Sequence, residues 1–179
     1  MEIKIFNDKK IKIHKLEKKD LKRIKNFLEY INSFGENDKL TQIEKISEKQ
    51  EKDYLEDALK RQKNKTGIYL FAEHEGKIVG GTDFDLGKFR AKHVAKFGIR
   101  IREGYRGMGL GKHLMSEVIR QAIVNLKPTP KIIRLEAFAN NKPAINLYKK
   151  MGFKIVARIP KQREYKGKLV AEVVMLKYL

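Results

Sequence analysis

Arg106-Gly107-Met108-Gly109-Leu110-Gly111-Lys112 is the stretch that decides the fold, because two different periodicities meet there. Upstream, Ala95, Phe97, Ile99 and Ile101 alternate with Lys96, Gly98, Arg100 and Arg102, the period-2 pattern of a strand with one buried face. Downstream, Leu110, Leu114, Val118, Ala122 and Leu126 recur every four residues, and Met115, Ile119 and Ile123 widen the stripe into the core-facing side of a helix. The glycines therefore stand where a helix begins. There the first backbone N–H groups lack partners and the helix dipole is positive, which suits an anion. Glycine has no Cβ to hold a phosphate away from the backbone, and Arg102, Arg106 and Lys112 add formal positive charge.

The turn does not match the dinucleotide fingerprint G-x-G-x-x-G, since the last position counted from Gly107 is Lys112. Nor does it match the Walker pattern, where Arg106 replaces the first glycine and His113 the Ser/Thr. It does match Arg-x-x-Gly-x-Gly, read as Arg106, Gly109 and Gly111. On those residues it resembles the pyrophosphate-binding turn of the GCN5-related N-acetyltransferases (GNAT). A second stretch carries the same resemblance: Asn141-x-x-Ala144-Ile145-x-Leu147-Tyr148-x-x-x-Gly152-Phe153 is similar to that superfamily's second signature, at the expected distance downstream. Two motifs in the right order outweigh either alone. The resemblance covers residues 67–179, whereas residues 1–66 match only in their order of strand and two helices.

The remaining chain reads as alternating elements. Residues 1–16 alternate apolar and polar, as an edge hairpin or a single first strand. A helix is expected from about Asp20 to Ser33-Phe34-Gly35, then a polar loop over 35–46. A second helix follows, opened by a capping box of Ser47 with Gln50 and carrying a weaker stripe of Leu55, Ala58, Leu59 and Gln62. Nothing in this two-helix segment names a ligand. Strands are expected at 68–72 and 78–84 around a Glu75-Gly76 turn, and again at 132–137, 153–158 and 169–176. Pro143 opens a helix that Gly152 closes.

Composition bounds the answer. A chain of 179 residues suits a single domain, 1–179, with a real core. With no cysteine there is no disulfide, no thiolate metal site and no cysteine acyl-enzyme. His14, His74, His93 and His113 show no metal-ligand spacing, so no metal is expected. No apolar run approaches the roughly 18 residues that span a bilayer, and no signal-peptide core stands near the start. A cytoplasmic location without membrane attachment is the expectation. The formal charge of +19 is spread along the chain and interleaved with glutamates, with few aromatics among the lysines. That reads as a solvated lysine-rich surface, and not as a nucleic-acid footprint. A homodimer is compatible with the sequence.

The resemblance implies an α/β GNAT fold: a mixed central sheet, flanked by helices and splayed open between the strand before the glycine turn and the strand carrying Glu136. It implies acetyl-CoA as co-substrate, with its pantetheine arm on the backbone of Phe97, Gly98, Ile99, Arg100 and Ile101. The pyrophosphate would lie on the turn formed by Arg106, Gly107, Met108, Gly109, Leu110, Gly111 and Lys112. An acceptor amine would enter from the opposite side and attack the thioester directly.

The chemistry asks for three groups. A protonated amine needs a base or a water relay, the developing oxyanion needs a donor, and the departing thiolate needs a proton. Tyr148 matches the family's general-acid position, although it also fits a core stripe with Ala144, Leu147 and Met151. Glu136, twelve residues before Tyr148, has the spacing of ribosomal-protein-alanine N-acetyltransferases, where the glutamate resembles a general base. An exposed strand carboxylate paired with a lysine is the alternative. His93 and Glu103 are competing bases. Asn141 matches a pantetheine-binding position and equally suits a helix cap before Pro143.

The expected activity is acetyl transfer to a primary amine of a protein or peptide N-terminus, an amino acid or another small molecule. The Glu136 spacing favours a peptide amine, while the closing residues 167–175 resemble the tail of small-molecule and amino-acid acetyltransferases. The rival class is a basic GNAT-fold module that binds nucleic acid or CoA without turnover.

Overall fold

The chain opens with β1 (Glu2–Phe6) and β2 (Lys9–Lys15), an antiparallel hairpin that turns through Asn7 and Asp8, both with positive φ. Of the two readings of the N-terminus, the hairpin is the one found. The computed structural model describes residues 1–35, 37–40 and 45–179. A 3-10 turn at Lys18–Arg23 leads into α1 (Ile24–Ile31), and α2 (Glu48–Lys63) follows. Strands β3 (Gly67–His74), β4 (Lys77–Leu86) and β5 (Val94–Ile101) then run up to the glycine turn. Beyond it come α3 (Leu110–Asn125), β6 (Ile132–Phe138), α4 (Lys142–Lys150), β7 (Lys154–Tyr165) and β8 (Lys168–Tyr178).

All eight strands form one mixed sheet in the order β1-β2-β3-β4-β5-β6-β8-β7. Every pair is antiparallel except β5 with β6. Helix α3 covers one face, where Leu110, Leu114, Val118 and Ala122 are fully buried against Leu70, Phe84, Phe97 and Ile133. Ile123 departs from the predicted stripe and is 44% exposed. Helices α1 and α2 cover the other face, packing Phe27, Tyr30, Leu55 and Ala58 against Tyr69 and Phe71.

Three elements differ from their sequence expectation. The α-helix predicted from Asp20 begins only at Ile24, preceded by the 3-10 turn, which starts with a capping box: fully buried Asp20 accepts a bond of 2.8 Å from the Glu17 N–H. Strands β7 and β8 are longer than predicted. Pro160 is accommodated within β7 because this strand lies at the sheet edge, where a missing N–H and two register shifts are tolerated. The polar loop expected over 35–46 is described only in part, since positions 36 and 41–44 lie outside the described residues. Ser47 caps α2 as predicted: its hydroxyl accepts from the Gln50 N–H at 3.3 Å.

One register decides the site. Strand β5 pairs with β4 along its whole length, from Ala95 opposite Leu86 to Ile101 opposite Gly80. Its parallel pairing with β6 covers only Val94, Ala95 and Lys96, opposite Ile132, Ile133 and Arg134. Past Lys96 the strands diverge, and Phe97–Ile101 borders an open cleft.

Candidate active site

The cleft ends at the glycine turn. Gly104, Gly107 and Gly109 all have positive φ, the conformation for which glycine is suited. Gly109 is the N-cap of α3 at φ 90° and supplies no side-chain cap. The first intrahelical bond is His113 N–H to Gly109 O at 3.1 Å, so the N–H groups of Leu110, Gly111 and Lys112 find no partner among the described residues. A Cβ at Gly107 or Gly109 would meet nothing within 4 Å, which leaves the turn open to a ligand. Gly111 is different: there a Cβ would stand 3.1 Å from Ile101 and 3.4 Å from Leu147, so this glycine serves close packing. Leu110 is buried, Met108 packs partly against the core, and exposed Lys112 adds a cation at the helix start.

The two arginines play other parts than the sequence suggests. Arg106 donates through Nε to Ile101 O at 2.8 Å and pairs with Asp38, so it braces the turn against the strand end and the loop after α1. Arg102 pairs with Glu29 at 3.3 Å and stacks over Tyr30, facing away from the turn. Lys112 and the helix terminus carry positive charge at the turn without an ion-pair partner among the described residues.

The loop after α1 straddles the cleft. Asp38 holds the Arg106 side, while Lys39 donates to Asn140 O at 3.1 Å and its own carbonyl accepts from Asn141 Nδ2 at 3.3 Å. Asn141 also caps α4, accepting from Ala144 N–H at 3.4 Å, which realises the cap reading of this residue. Two carbonyls near the expected pantetheine path are already engaged: Arg100 O accepts from the Tyr30 hydroxyl at 2.8 Å, and Ile101 O from Arg106.

Tyr148 lies on α4, 8% exposed, with its ring 6.2 Å from that of Phe153. Burial pushes its hydroxyl up to about 12, and the Asp83 carboxylate adds to the rise. The phenol therefore stays protonated at neutral pH and makes no hydrogen bond among the described residues. Both the packed and the proton-donating readings fit this position.

Glu136 lies in a cluster of ion pairs. It sits on the opposite face of β6 from the Leu135 and Ala137 side chains that meet the Tyr148 core. There it is held between guanidinium groups, at 2.8 Å from Arg134 and 3.8 Å from Arg163, and Arg163 in turn pairs with buried Glu172. This arrangement is that of the ion-paired strand carboxylate, with arginine in the place of lysine. His93 lies before β5 at the closed end of the cleft, where its carbonyl accepts from Lys131 N–H at 2.8 Å. Glu103 is exposed on the turn.

The α1–α2 face contributes a polar floor that the sequence does not single out. Asp83 and Asp85 alternate on β4 and point toward these helices, and Arg100 of β5 lies 3.6 Å from Asp83. Asp85 accepts from the Tyr69 hydroxyl and lies 3.5 Å from Arg61. Burial raises both aspartates above the usual carboxylate range. Asp83 nonetheless keeps 34% of its side chain accessible. Glu51 enters from α2, on the stripe that also carries Leu55 and Ala58. It is 5% exposed and has no hydrogen bond or ion pair among the described residues. Burial pushes its carboxyl up to about 7, against the pull of the Arg100 guanidinium. The one sequence signal for this residue is a carboxylate four positions before Leu55, inside an apolar stripe.

Comparisons place this geometry among known proteins. The profile of the acetyltransferase (GNAT) family matches residues 34–153. An L-amino acid N-acetyltransferase of Escherichia coli is 37% identical over 87 residues, covering 48% of this chain and 52% of the relative. The chain thus spans about half the length of that curated relative. The ribosomal-protein-alanine N-acetyltransferase of Brucella melitensis superposes with a TM-score of 0.78 at 21% identity, over 94% of this chain and 99% of the other. A Salmonella typhimurium protein solved with its cofactor acetyl-CoA gives a TM-score of 0.74 at 18% identity, over 94% of each chain. Among the described residues no group of three His, Asp or Glu could hold a metal ion, and no helix is long and apolar enough to cross a membrane.

Proposed function

The chain belongs to the acetyltransferase (GNAT) family, and from that premise we propose that it transfers an acetyl group from acetyl-CoA to the primary amine of a small, amino-acid-like acceptor. The observation that carries this reading is the cleft: β5 leaves β6 after Lys96, and the cleft runs to an uncapped helix start with open glycines. When bound, acetyl-CoA supplies a thioester carbonyl whose leaving group is a thiolate. The N–H groups of Leu110, Gly111 and Lys112 and the Lys112 ammonium would hold its pyrophosphate. The backbone of Phe97, Gly98 and Ile99 would line the pantetheine arm, with Asn141 across the cleft. Free N–H groups on this edge would donate to the oxygen that gathers charge. Tyr148, kept protonated by burial, would give its proton to the sulfur as the C–S bond breaks.

A small zwitterionic acceptor is supported by Arg100. Its partly exposed guanidinium lies 3.6 Å from Asp83 and makes no hydrogen bond among the described residues. Such a fork suits a carboxylate. The name of the E. coli relative points the same way. The peptide-amine reading rests on Glu136, which the structure engages with two arginines.

The test is CoA release from acetyl-CoA against L-amino acids, polyamines and peptides with free N-termini, read with a thiol reagent. The chain has no cysteine and contributes no background. L-amino acids should raise the rate most. Acetyl-CoA binding without turnover on any amine, or steeply salt-dependent nucleic-acid binding in its place, would favour the non-catalytic module.

A further inference from the structure

We propose that Glu51 is the base that takes the proton from the acceptor ammonium. The inference rests on the acetyl-transfer reading above and deepens it.

An amine offered at neutral pH is an ammonium, and its nitrogen has no lone pair until a proton leaves. Of the carboxylates on β4, β6, β8 and α2 around this cleft, all but one have a side-chain hydrogen bond or ion pair among the described residues. Asp83 faces Arg100, Asp85 is held by Tyr69 and Arg61, Glu136 by Arg134 and Arg163, and Glu172 by Arg163. Glu51 alone among them is buried and has no such partner among the described residues.

A buried carboxylate ordinarily has a partner, and one kept without it is a candidate for function. Glu51 lies in the first turn of α2, where the helix dipole favours the anion, yet burial outweighs that pull. The result is a group that gains and loses a proton near neutrality, as a base should. The titratable and charged groups around it are Tyr30 from α1, Tyr54 from its own helix and Arg100 from β5, with Tyr69 from β3 and Asp83 and Asp85 from β4 grouped about Tyr54. The tyrosines are all held above their ordinary range by burial and do not compete for the role at neutral pH.

The protons balance. The Glu51 carboxylate takes one proton from the ammonium and later releases it to solvent. The freed nitrogen lone pair forms the C–N bond, the C–S bond breaks, and Tyr148 protonates the sulfur. A second N–H proton, lost as the amide forms, restores the Tyr148 phenol. One proton reaches solvent per turnover.

The experiment measures kcat/KM against pH with acetyl-CoA and the L-amino acid that releases CoA fastest. Wild type, Glu51→Gln and Glu51→Asp are compared, with acetyl-CoA affinity as the control for an intact cleft. Wild type should lose activity as pH falls below about 7. E51Q should fall by about 100-fold or more and lose that inflection, with acetyl-CoA affinity unchanged. E51D should recover part of the rate with the inflection displaced. An E51Q variant that keeps the wild-type inflection, at whatever rate, would overturn the role of Glu51 and leave acetyl transfer standing. Wild type that releases no CoA with any amine would overturn both.

Discussion

A Cβ built on Gly98 would stand 2.9 Å from Cγ of Asp83 and closer still to its Oδ2. The two residues face each other across the β4–β5 ladder, so the glycine is what lets the carboxylate lie over β5 at the cleft. Gly98→Ala must displace Asp83, and overpacking of this kind costs about 1–3 kcal/mol. Because the added methyl points to the acceptor face, acceptor KM should rise about tenfold or more, while acetyl-CoA affinity stays within about threefold. Steady-state kinetics beside a calorimetric titration of acetyl-CoA separates the two.

Tyr148→Phe removes a hydroxyl that makes no hydrogen bond among the described residues and keeps the buried ring. Thermal stability should be unchanged, and kcat should fall by about 100-fold, the usual range for loss of a general acid. An unchanged kcat would assign Tyr148 to packing alone.

Gly109→Ala places a Cβ on a residue at φ 90°, where L side chains cost about 1–2 kcal/mol, and into space the ligand would occupy. The midpoint of thermal unfolding should drop by several degrees, and acetyl-CoA affinity should fall about tenfold or more. Lys112→Ala, without backbone strain, should weaken binding less and make it less sensitive to salt.

Glu136→Gln should leave kcat/KM within about threefold. The side chain is held by Arg134 and Arg163 and is not the base in this account. A loss of about 100-fold with an altered pH profile would return the role to Glu136.

Stability against pH gives an independent reading of Glu51. Its folded carboxyl, at about 7, lies above the ordinary 4.5, so the folded state holds this proton more tightly than the unfolded chain does. Stability from this group is complete below the ordinary value and is lost as pH rises to the folded one. Glu51→Gln should therefore gain stability relative to wild type by about 3 kcal/mol between pH values below the ordinary 4.5 and pH values above the folded one. Urea titrations at the two extremes measure it.

The cofactor half of this cleft was legible because its signals are local. The change of period at Arg106–Lys112 and the run from Asn141 to Phe153 lie within single stretches, and backbone N–H groups need only glycine and a helix start. The acceptor half was not. Glu51, Asp83 and Arg100 come from a helix and two strands, and each alone reads as a solvated charge in a lysine- and glutamate-rich chain. Only the antiparallel pairing of β4 with β5 and the packing of α2 over the sheet bring them together. Glu136 shows the converse: its spacing from Tyr148 suggested a base, but the arginines that occupy it come from Arg134 on the same strand and Arg163 on β7.

The most direct measurement is mass spectrometry of the products after wild type is incubated with acetyl-CoA and an L-amino acid mixture, in parallel with Tyr148→Phe. Wild type should give N-acetylated amino acid and free CoA in equal amounts, and the variant about 100-fold less of both. Free CoA without acetylated amine, or acetylated amine formed equally well by both proteins, would overturn direct transfer with Tyr148 as the acid.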